Sequence, residues 1–77
     1  MKIIAYLKTY CTWCIELKEF FIKNDIPFEE KDVNVNPEFM QELIEISGQQ
    51  KAPTIVVDDK VYADVGVDEI KEILGLL

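Results

Sequence analysis

Two cysteines stand three positions apart in Cys11-Thr12-Trp13-Cys14, where an apolar segment passes into an amphipathic one. The segment from Lys2 to Lys8 encloses five consecutive apolar residues, which predict a strand buried on both faces. The residues after Cys11 repeat apolar side chains at helical spacing. Both sulfurs are therefore expected at a strand end and above a helix N-terminus, where backbone N–H groups and the helix dipole favour a thiolate. Such a position predicts a reactive thiol.

A helix and a strand are predicted directly after the cysteine pair. The helix covers 12–24, and Asn24-Asp25-Ile26-Pro27 ends it. The strand covers 28–35, and its many charged residues suit the edge of a sheet. The side chains expected to face inward are Cys14, Leu17 and Phe21 of the helix, with Phe20 and Ile22 widening its stripe. In the strand they are Val33 and Val35, with Phe28 at its entry.

The second helix has clear start and stop signals. Asn36 suits the N-cap, Pro37 the first turn, and Glu38 the positive end of the dipole. The helix is expected to run to Ser47, with Gly48 as its C-terminal stop. Its broad apolar stripe is typical of core packing and comprises Phe39, Met40, Leu43, Ile44 and Ile46.

The remaining residues predict a hairpin and a last helix. Segments 54–57 and 60–63 flank the turn signal Asp58-Asp59. A helix follows Gly66, and its inner face comprises Val67, Ile70, Leu74 and Leu77.

The predicted order is thus β-α-β-α-β-β-α, in one domain over 1–77. The short strand-helix-strand unit at the start favours a right-handed crossover and a parallel first pair, whereas the hairpin is antiparallel. We therefore expect an α/β protein with a four-stranded mixed sheet flanked by three helices. A Cys-x-x-Cys beside such a unit is typical of the thioredoxin fold.

Composition limits the partners. Fifteen acidic and eight basic residues give a net charge of −7, and no lysine cluster interrupts the acidic surface, so nucleic acid and anionic membranes are poor partners. A hydrophobic content of 49% indicates a folded chain. No apolar run has the length of a membrane span, and the N-terminus lacks a signal-peptide pattern, so we expect a cytoplasmic protein. We also expect a monomer.

The cysteine pair has two structural interpretations besides a redox one. Small domains held by structural disulfides usually contain more cysteine, and a bridge across so short a loop removes little chain entropy. The chain has no histidine and no second cysteine pair, so it lacks the usual four zinc ligands. A redox pair is the stronger hypothesis, and we expect no metal site.

Three segments together resemble the glutaredoxin family over essentially the whole chain. They are 8–14 (KTYCTWC), 47–54 (SGQQKAPT) and 65–70 (VGVDEI), in the family's order and spacing. The resemblance implies a dithiol redoxin in which Cys11 is the nucleophile and Cys14 resolves the mixed disulfide. It also implies a cis peptide bond before Pro53 and no permanently bound cofactor, with glutathione as co-substrate.

The resemblance further implies a surface for glutathione or a protein substrate. Lys8 and Gln49 would hold the glycyl carboxylate, main-chain groups near Ala52 the tripeptide backbone, and Asp68 the γ-glutamyl end. The other residues implied for this surface are Tyr10, Thr12, Trp13, Pro53, Gly66 and Val67. Some of these have structural alternatives: Lys8 ends a strand, Trp13 packs, and Asp68 is the N-cap or a first-turn acid of the last helix.

The chain also departs from the commonest glutaredoxin pattern. Thr12 and Trp13 replace the usual proline and tyrosine, Val65 replaces a glycine, and Lys51-Ala52 replaces threonine and valine. The main hypothesis is a glutathione-linked thiol–disulfide oxidoreductase that acts on protein disulfides or glutathione mixed disulfides. One alternative is a redoxin that a thioredoxin reductase reduces and that donates electrons to ribonucleotide reductase. The other is a non-enzymatic carrier of a 2Fe–2S cluster.

Overall fold

The computed structural model describes residues 1–75 and contains seven elements in the predicted order. These are β1 (Ile3–Leu7), α1 (Thr12–Lys23), β2 (Glu29–Asp32), α2 (Pro37–Ser47), β3 (Thr54–Val57), β4 (Lys60–Tyr62) and α3 (Val67–Ile73). The strands form one sheet in the order β2-β1-β3-β4. Strands β1 and β2 are parallel, and the other two pairs are antiparallel. The predicted thioredoxin fold is confirmed.

The central strand β1 contributes to the core on both faces of the sheet, because successive side chains of a strand alternate between faces. Ile3, Ala5 and Leu7 belong to the cluster that α1 and α3 cover. Tyr6 points the other way and packs in a second cluster with residues of the β2–α2 region. Helices α1 and α3 therefore lie on one side of the sheet and α2 on the other.

Helix α1 buries the centre of the stripe that its periodicity predicts. Leu17 and Phe21 have no exposed surface, and Cys14 is almost fully buried beside them. Removing such a side chain from water contributes roughly 1.5–3 kcal/mol. The opposite face is open to solvent, where Ile22 is 61% exposed. The helix is therefore held by one apolar face, and that face includes a cysteine.

Helix α2 begins and ends where the sequence predicts. The side-chain oxygen of Asn36 accepts the N–H of Glu38 at 3.0 Å, and Pro37 opens the helix. Gly48 closes it with φ +71°, a left-handed conformation that favours glycine, and its N–H donates to the Ile44 carbonyl at 2.8 Å.

A polar cluster also holds α2 against the sheet. Glu42 accepts hydrogen bonds from the Tyr6 hydroxyl at 2.9 Å and from Lys31 Nζ at 2.6 Å. The Lys31 ammonium also lies 5.5 Å from the centre of the Phe39 ring, a cation–π distance. The hydrogen bond from Lys31 is the main cause that lowers the pKa of Glu42. The cluster therefore adds stability above the ordinary carboxyl pKa, and this stability is lost as the pH falls.

Three expectations about inward side chains are wrong. Ile22, expected to widen the stripe of α1, lies on the outer face of the helix. Val35 is 75% exposed, because β2 ends at Asp32, whose carboxylate accepts the Val35 N–H and turns the chain. Ile44 and Ile46 are also exposed, because α2 meets the sheet through a narrower stripe centred on Leu43.

The last helix, α3, packs on the α1 side of the sheet. Ile70 is fully buried there, and Val67 and Leu74 pack against the same cluster, as predicted. Leu77, predicted for this face, lies outside the described residues. None of the helices within residues 1–75 has the length and hydrophobicity that crossing a bilayer requires.

We predict that Leu17→Ala lowers the free energy of unfolding by about 2–5 kcal/mol, because it leaves a cavity in the core. Chemical denaturation of the reduced protein measures this loss. Ile22→Ala, on the exposed face of the same helix, is the matched control and should change stability by less than about 0.5 kcal/mol. Equal effects of the two substitutions would contradict the packing described for α1.

Candidate active site

The two cysteines lie between β1 and α1 at different depths. Cys11 is the N-cap of α1 and is partly exposed, whereas Cys14 is only 2% exposed. The difference arises because Cys14 falls on the helix face that packs on the sheet, and Cys11 precedes the first turn. The expectation that Cys11 is the more accessible thiol is confirmed.

Cys11 Sγ has two polar neighbours of opposite character. It accepts the backbone N–H of Cys14 at 3.2 Å, as an N-cap side chain does. It also donates to the Ala52 carbonyl oxygen at 3.9 Å. The first contact stabilises negative charge on the sulfur, and the second is open only to the protonated thiol.

The Cys14 thiol is held in its protonated form. Burial raises the pKa of Cys14 to about 12, and the hydrogen bond and charge at Cys11 add to the rise. The backbone N–H of Lys8, which donates to Cys14 Sγ at 3.4 Å, acts in the opposite direction. At neutral pH the pair therefore consists of an accessible sulfur and a buried neutral thiol.

The loop that carries Cys11 is tied to the turn after β2. The N–H of Thr9 donates to the side-chain oxygen of Asn34 at 2.9 Å, and the Thr9 hydroxyl contacts the Asp32 carboxylate at 3.0 and 3.2 Å. Next to these contacts, Tyr10 projects into solvent with 96% of its surface exposed. These hydrogen bonds hold one side of the Cys11 loop in place.

An open cavity of about 520 Å³ lies over this loop. Its lining residues are Lys8, Thr9, Tyr10, Cys11 and Asn34. Lys8 and Tyr10, which the resemblance assigns to the surface for glutathione or a protein substrate, both line this cavity. Thr9 was not predicted as a site residue, although it stands inside the KTYCTWC segment, and only folding brings Asn34 to the site.

A smaller groove of about 250 Å³ lies beside Trp13. It is lined by Trp13, Glu16, Gly66, Val67, Asp68 and Glu69. A β-carbon on Gly66 would stand at an ordinary contact distance of 3.4 Å from Cε3 of the Trp13 ring and slightly closer, at 3.3 Å, to Glu69 Oε2. Thr12, the other residue between the cysteines, is exposed at the first position of α1.

Asp68 is not the cap of α3 but lies in its first turn, as the other form of its structural alternative predicts. Gly66 occupies the N-cap position, and the Glu69 carboxylate accepts the Gly66 N–H at 3.2 Å. Among residues 1–75, the Asp68 carboxylate forms no hydrogen bond or ion pair. Glu16, which the sequence analysis did not select, lines the same groove, and its position three residues after Trp13 on a helix is the signal that would have found it.

The segment between α2 and β3 brings Ala52 and Pro53 to Cys11. The peptide bond between them is cis, as the resemblance implies. The Ala52 carbonyl faces Cys11 Sγ, and the Pro53 carbonyl accepts the Val65 N–H at 3.1 Å. Gln49 lies in the same segment, and its side chain bonds within it, to Ser47, Lys51 and Thr54.

Comparison with known proteins agrees with this arrangement. Residues 3–62 match the family model described as Glutaredoxin. The chain belongs to the glutaredoxin family. This glutaredoxin-family protein is 28% identical to the glutaredoxin-like protein NrdH of Lactococcus lactis subsp. lactis (strain IL1403) over 71 residues, which are 92% of this chain and 97% of the relative. Family membership and the cysteine pair make it a thiol–disulfide redox protein.

Solved structures show the same fold. The thioredoxin-like protein BC3987 superposes with a TM-score of 0.83 and 28% identity, over 94% of this chain and 99% of that protein. The glutaredoxin-like protein NrdH-redoxin from Escherichia coli has a TM-score of 0.75 at 23% identity, over 95% of each chain. Both superpositions therefore cover nearly all of this glutaredoxin-family chain and of the solved protein.

We predict that iodoacetamide modifies Cys11 and spares Cys14 in the reduced, folded protein at about pH 7, because only Cys11 is accessible and Cys14 is protonated. Mass spectrometry of peptides locates the label. In denaturant both thiols should react, which controls for the reagent. A label on Cys14 of the folded protein would contradict the burial described for this thiol.

Proposed function

We propose that this chain is a dithiol redoxin of the NrdH kind, which takes electrons from a thioredoxin reductase and passes them to the disulfide of a protein such as ribonucleotide reductase. The observation that carries the proposal is the unequal pair of thiols at the start of α1. Cys11 is accessible and caps the helix, whereas Cys14 is buried and neutral. This arrangement suits two successive exchange steps.

In the first step the Cys11 thiolate attacks one sulfur of the substrate disulfide. A bond forms between Cys11 Sγ and that sulfur, the substrate S–S bond breaks, and the other substrate sulfur leaves as a thiolate that takes up a proton. Cys14 then loses its proton and attacks Cys11 Sγ. The second substrate thiolate is released, and the redoxin holds a Cys11–Cys14 disulfide after giving two electrons to the substrate. Two electrons and two protons from the reductase restore both thiols.

Two observations support a reductase as the electron donor. The NrdH protein of Lactococcus lactis matches this chain over nearly its whole length, and the Escherichia coli NrdH-redoxin, which has a thioredoxin-like activity profile, shares the fold. In addition, the hydrogen-bonding groups of Gln49 are engaged inside their own segment. A glutathione carboxylate would have to displace those bonds in order to use Gln49.

Glutathione as the donor is the second candidate, and the groove beside Trp13 favours it. Three residues assigned to glutathione by the resemblance, Gly66, Val67 and Asp68, line that groove together with Trp13. The Asp68 carboxylate, which has no partner among residues 1–75, is a suitable acceptor for the ammonium group of a γ-glutamyl residue.

We predict that Cys11→Ser abolishes exchange with every disulfide, because it removes the attacking sulfur. Cys14→Ser should still react once with a glutathione mixed disulfide but should stop at a stable mixed disulfide with a protein substrate, since the resolving thiol is missing. Thiol-transferase assays and non-reducing gels measure the two outcomes. Wild-type rates in both variants would exclude the mechanism.

A reductant competition distinguishes the two electron donors. The oxidised protein is supplied with glutathione in one reaction and with a thioredoxin reductase and its cofactor in the other, and the return of free thiols is followed. We predict fast reduction by the reductase and slow reduction by glutathione. The reverse order would replace the proposed donor by glutathione. A brown purified protein that elutes as a dimer would instead support the cluster carrier.

A further inference from the structure

Two adjacent glutamines in the segment between α2 and β3 have opposite surroundings. Gln50 is exposed, and its side chain forms no hydrogen bond within residues 1–75. Gln49 is partly buried, and its Nε2 donates to Ser47 Oγ at 2.9 Å and to Thr54 Oγ1 at 3.2 Å. Its Oε1 accepts the backbone N–H of Lys51. One glutamine is therefore bound on both ends of its amide, and its neighbour serves as a natural comparison.

The partners of Gln49 match an amide and no other group. Ser47 Oγ already donates its proton to the Leu43 carbonyl at 2.6 Å, and Thr54 Oγ1 donates its proton to the Lys51 carbonyl at 2.8 Å. Both hydroxyls therefore offer only lone pairs to Gln49, while Lys51 offers an N–H. A side chain that satisfies all three must donate twice from one end and accept at the other.

These bonds fix the peptide groups on both sides of Lys51. Its N–H is held by Gln49, and its carbonyl is held by Thr54, which has no exposed surface. The next residue is Ala52, whose carbonyl oxygen lies 3.9 Å from Cys11 Sγ. The hydrogen bonds around Gln49 thus reach Lys51, the residue before Ala52, whose carbonyl faces the attacking sulfur of Cys11.

We infer that Gln49 is a positioning residue, which holds the Lys51–Pro53 segment in place and so sets the space in which any disulfide approaches Cys11. The inference rests on the proposed function only for the role of Cys11 as the attacking thiol. A ligand role would be different, because it would matter only to substrates that carry a carboxylate.

Gln49→Ala removes the acceptor for the Lys51 N–H and the donor for two hydroxyl oxygens. The segment then loses its internal restraint, and the approach to Cys11 becomes less defined. Because a misplacement of about 1 Å can cost roughly 100-fold in rate, we expect a loss of about tenfold for all disulfides alike.

The test is the single-turnover oxidation of the reduced protein by two small disulfides. Bis(2-hydroxyethyl) disulfide is neutral, and glutathione disulfide carries carboxylates. Gln49→Ala should slow both reactions by the same factor, whereas a ligand role would slow only the second. Gln50→Ala is the matched control and should react like wild type. Circular dichroism measures the folded fraction of each variant, and rates are compared at equal folded fractions. A loss of stability alone therefore does not change the compared rates.

Two further variants keep the inference falsifiable if Gln49→Ala does not fold. Thr54→Val removes a partner of Gln49 that is too buried to touch a substrate, and it should slow both disulfides in the same direction. The double variant with Gln49→Ala should lose less of the oxidation rate than the product of the two single fold-losses, because both substitutions act on the same hydrogen bonds. Gln49→Lys keeps a group that binds carboxylates but has no acceptor for the Lys51 N–H, so it should also slow both.

The outcomes separate the two proposals. Wild-type rates with the neutral disulfide in Gln49→Ala or Thr54→Val would overturn the positioning role and leave the proposed function intact. A normal rate of Gln49→Lys with glutathione disulfide alone would likewise overturn it, in favour of a carboxylate ligand. If the wild-type protein reacts with neither disulfide, the proposed function itself fails.

Discussion

The packing of α1 on β1 determines where both sulfurs lie. The apolar stripe of this helix starts with Cys14 and continues through Leu17 and Phe21 into the core on one face of the sheet. Cys11, three residues before Cys14, precedes the first turn and faces the helix N-terminal N–H groups. The contact that contributes most to burying α1 therefore also makes one thiol accessible and the other neutral. Stability and chemistry depend on the same interface.

Hydrogen bonds hold the main chain on both sides of Cys11. On one side, Thr9 is bound to the turn that follows β2, and on the other, the Gln49 amide restrains the segment that ends at Ala52. Apolar packing adds to them, because Cys11 and Ala52 also contact the core. Polar side chains thus satisfy backbone groups of both loops beside the site.

The order of elements could be predicted because local signals agree with the fold. In α2, Asn36 caps, Pro37 opens and Gly48 closes the helix, and each acts through its own backbone. The wrong or missing predictions concern residues whose position depends on side-chain hydrogen bonds that form only in the folded chain. Val35 follows an apolar alternation but is turned outward by Asp32. Gln49 could be placed near the site from its segment, but its bonds depend on hydroxyls whose own protons are committed only in the folded chain.

The causes that keep Cys14 neutral bear on the second step of the proposed exchange. Burial is the largest of them, but the hydrogen bond and the charge at Cys11 add to the raised pKa of Cys14. In the proposed mechanism, Cys11 joined to a substrate sulfur carries neither its thiol nor a charge, so these two contributions are removed. The backbone N–H of Lys8, which donates to Cys14 Sγ, acts in the same direction. The pKa of Cys14 therefore falls at the step in which the proposal has Cys14 attack Cys11.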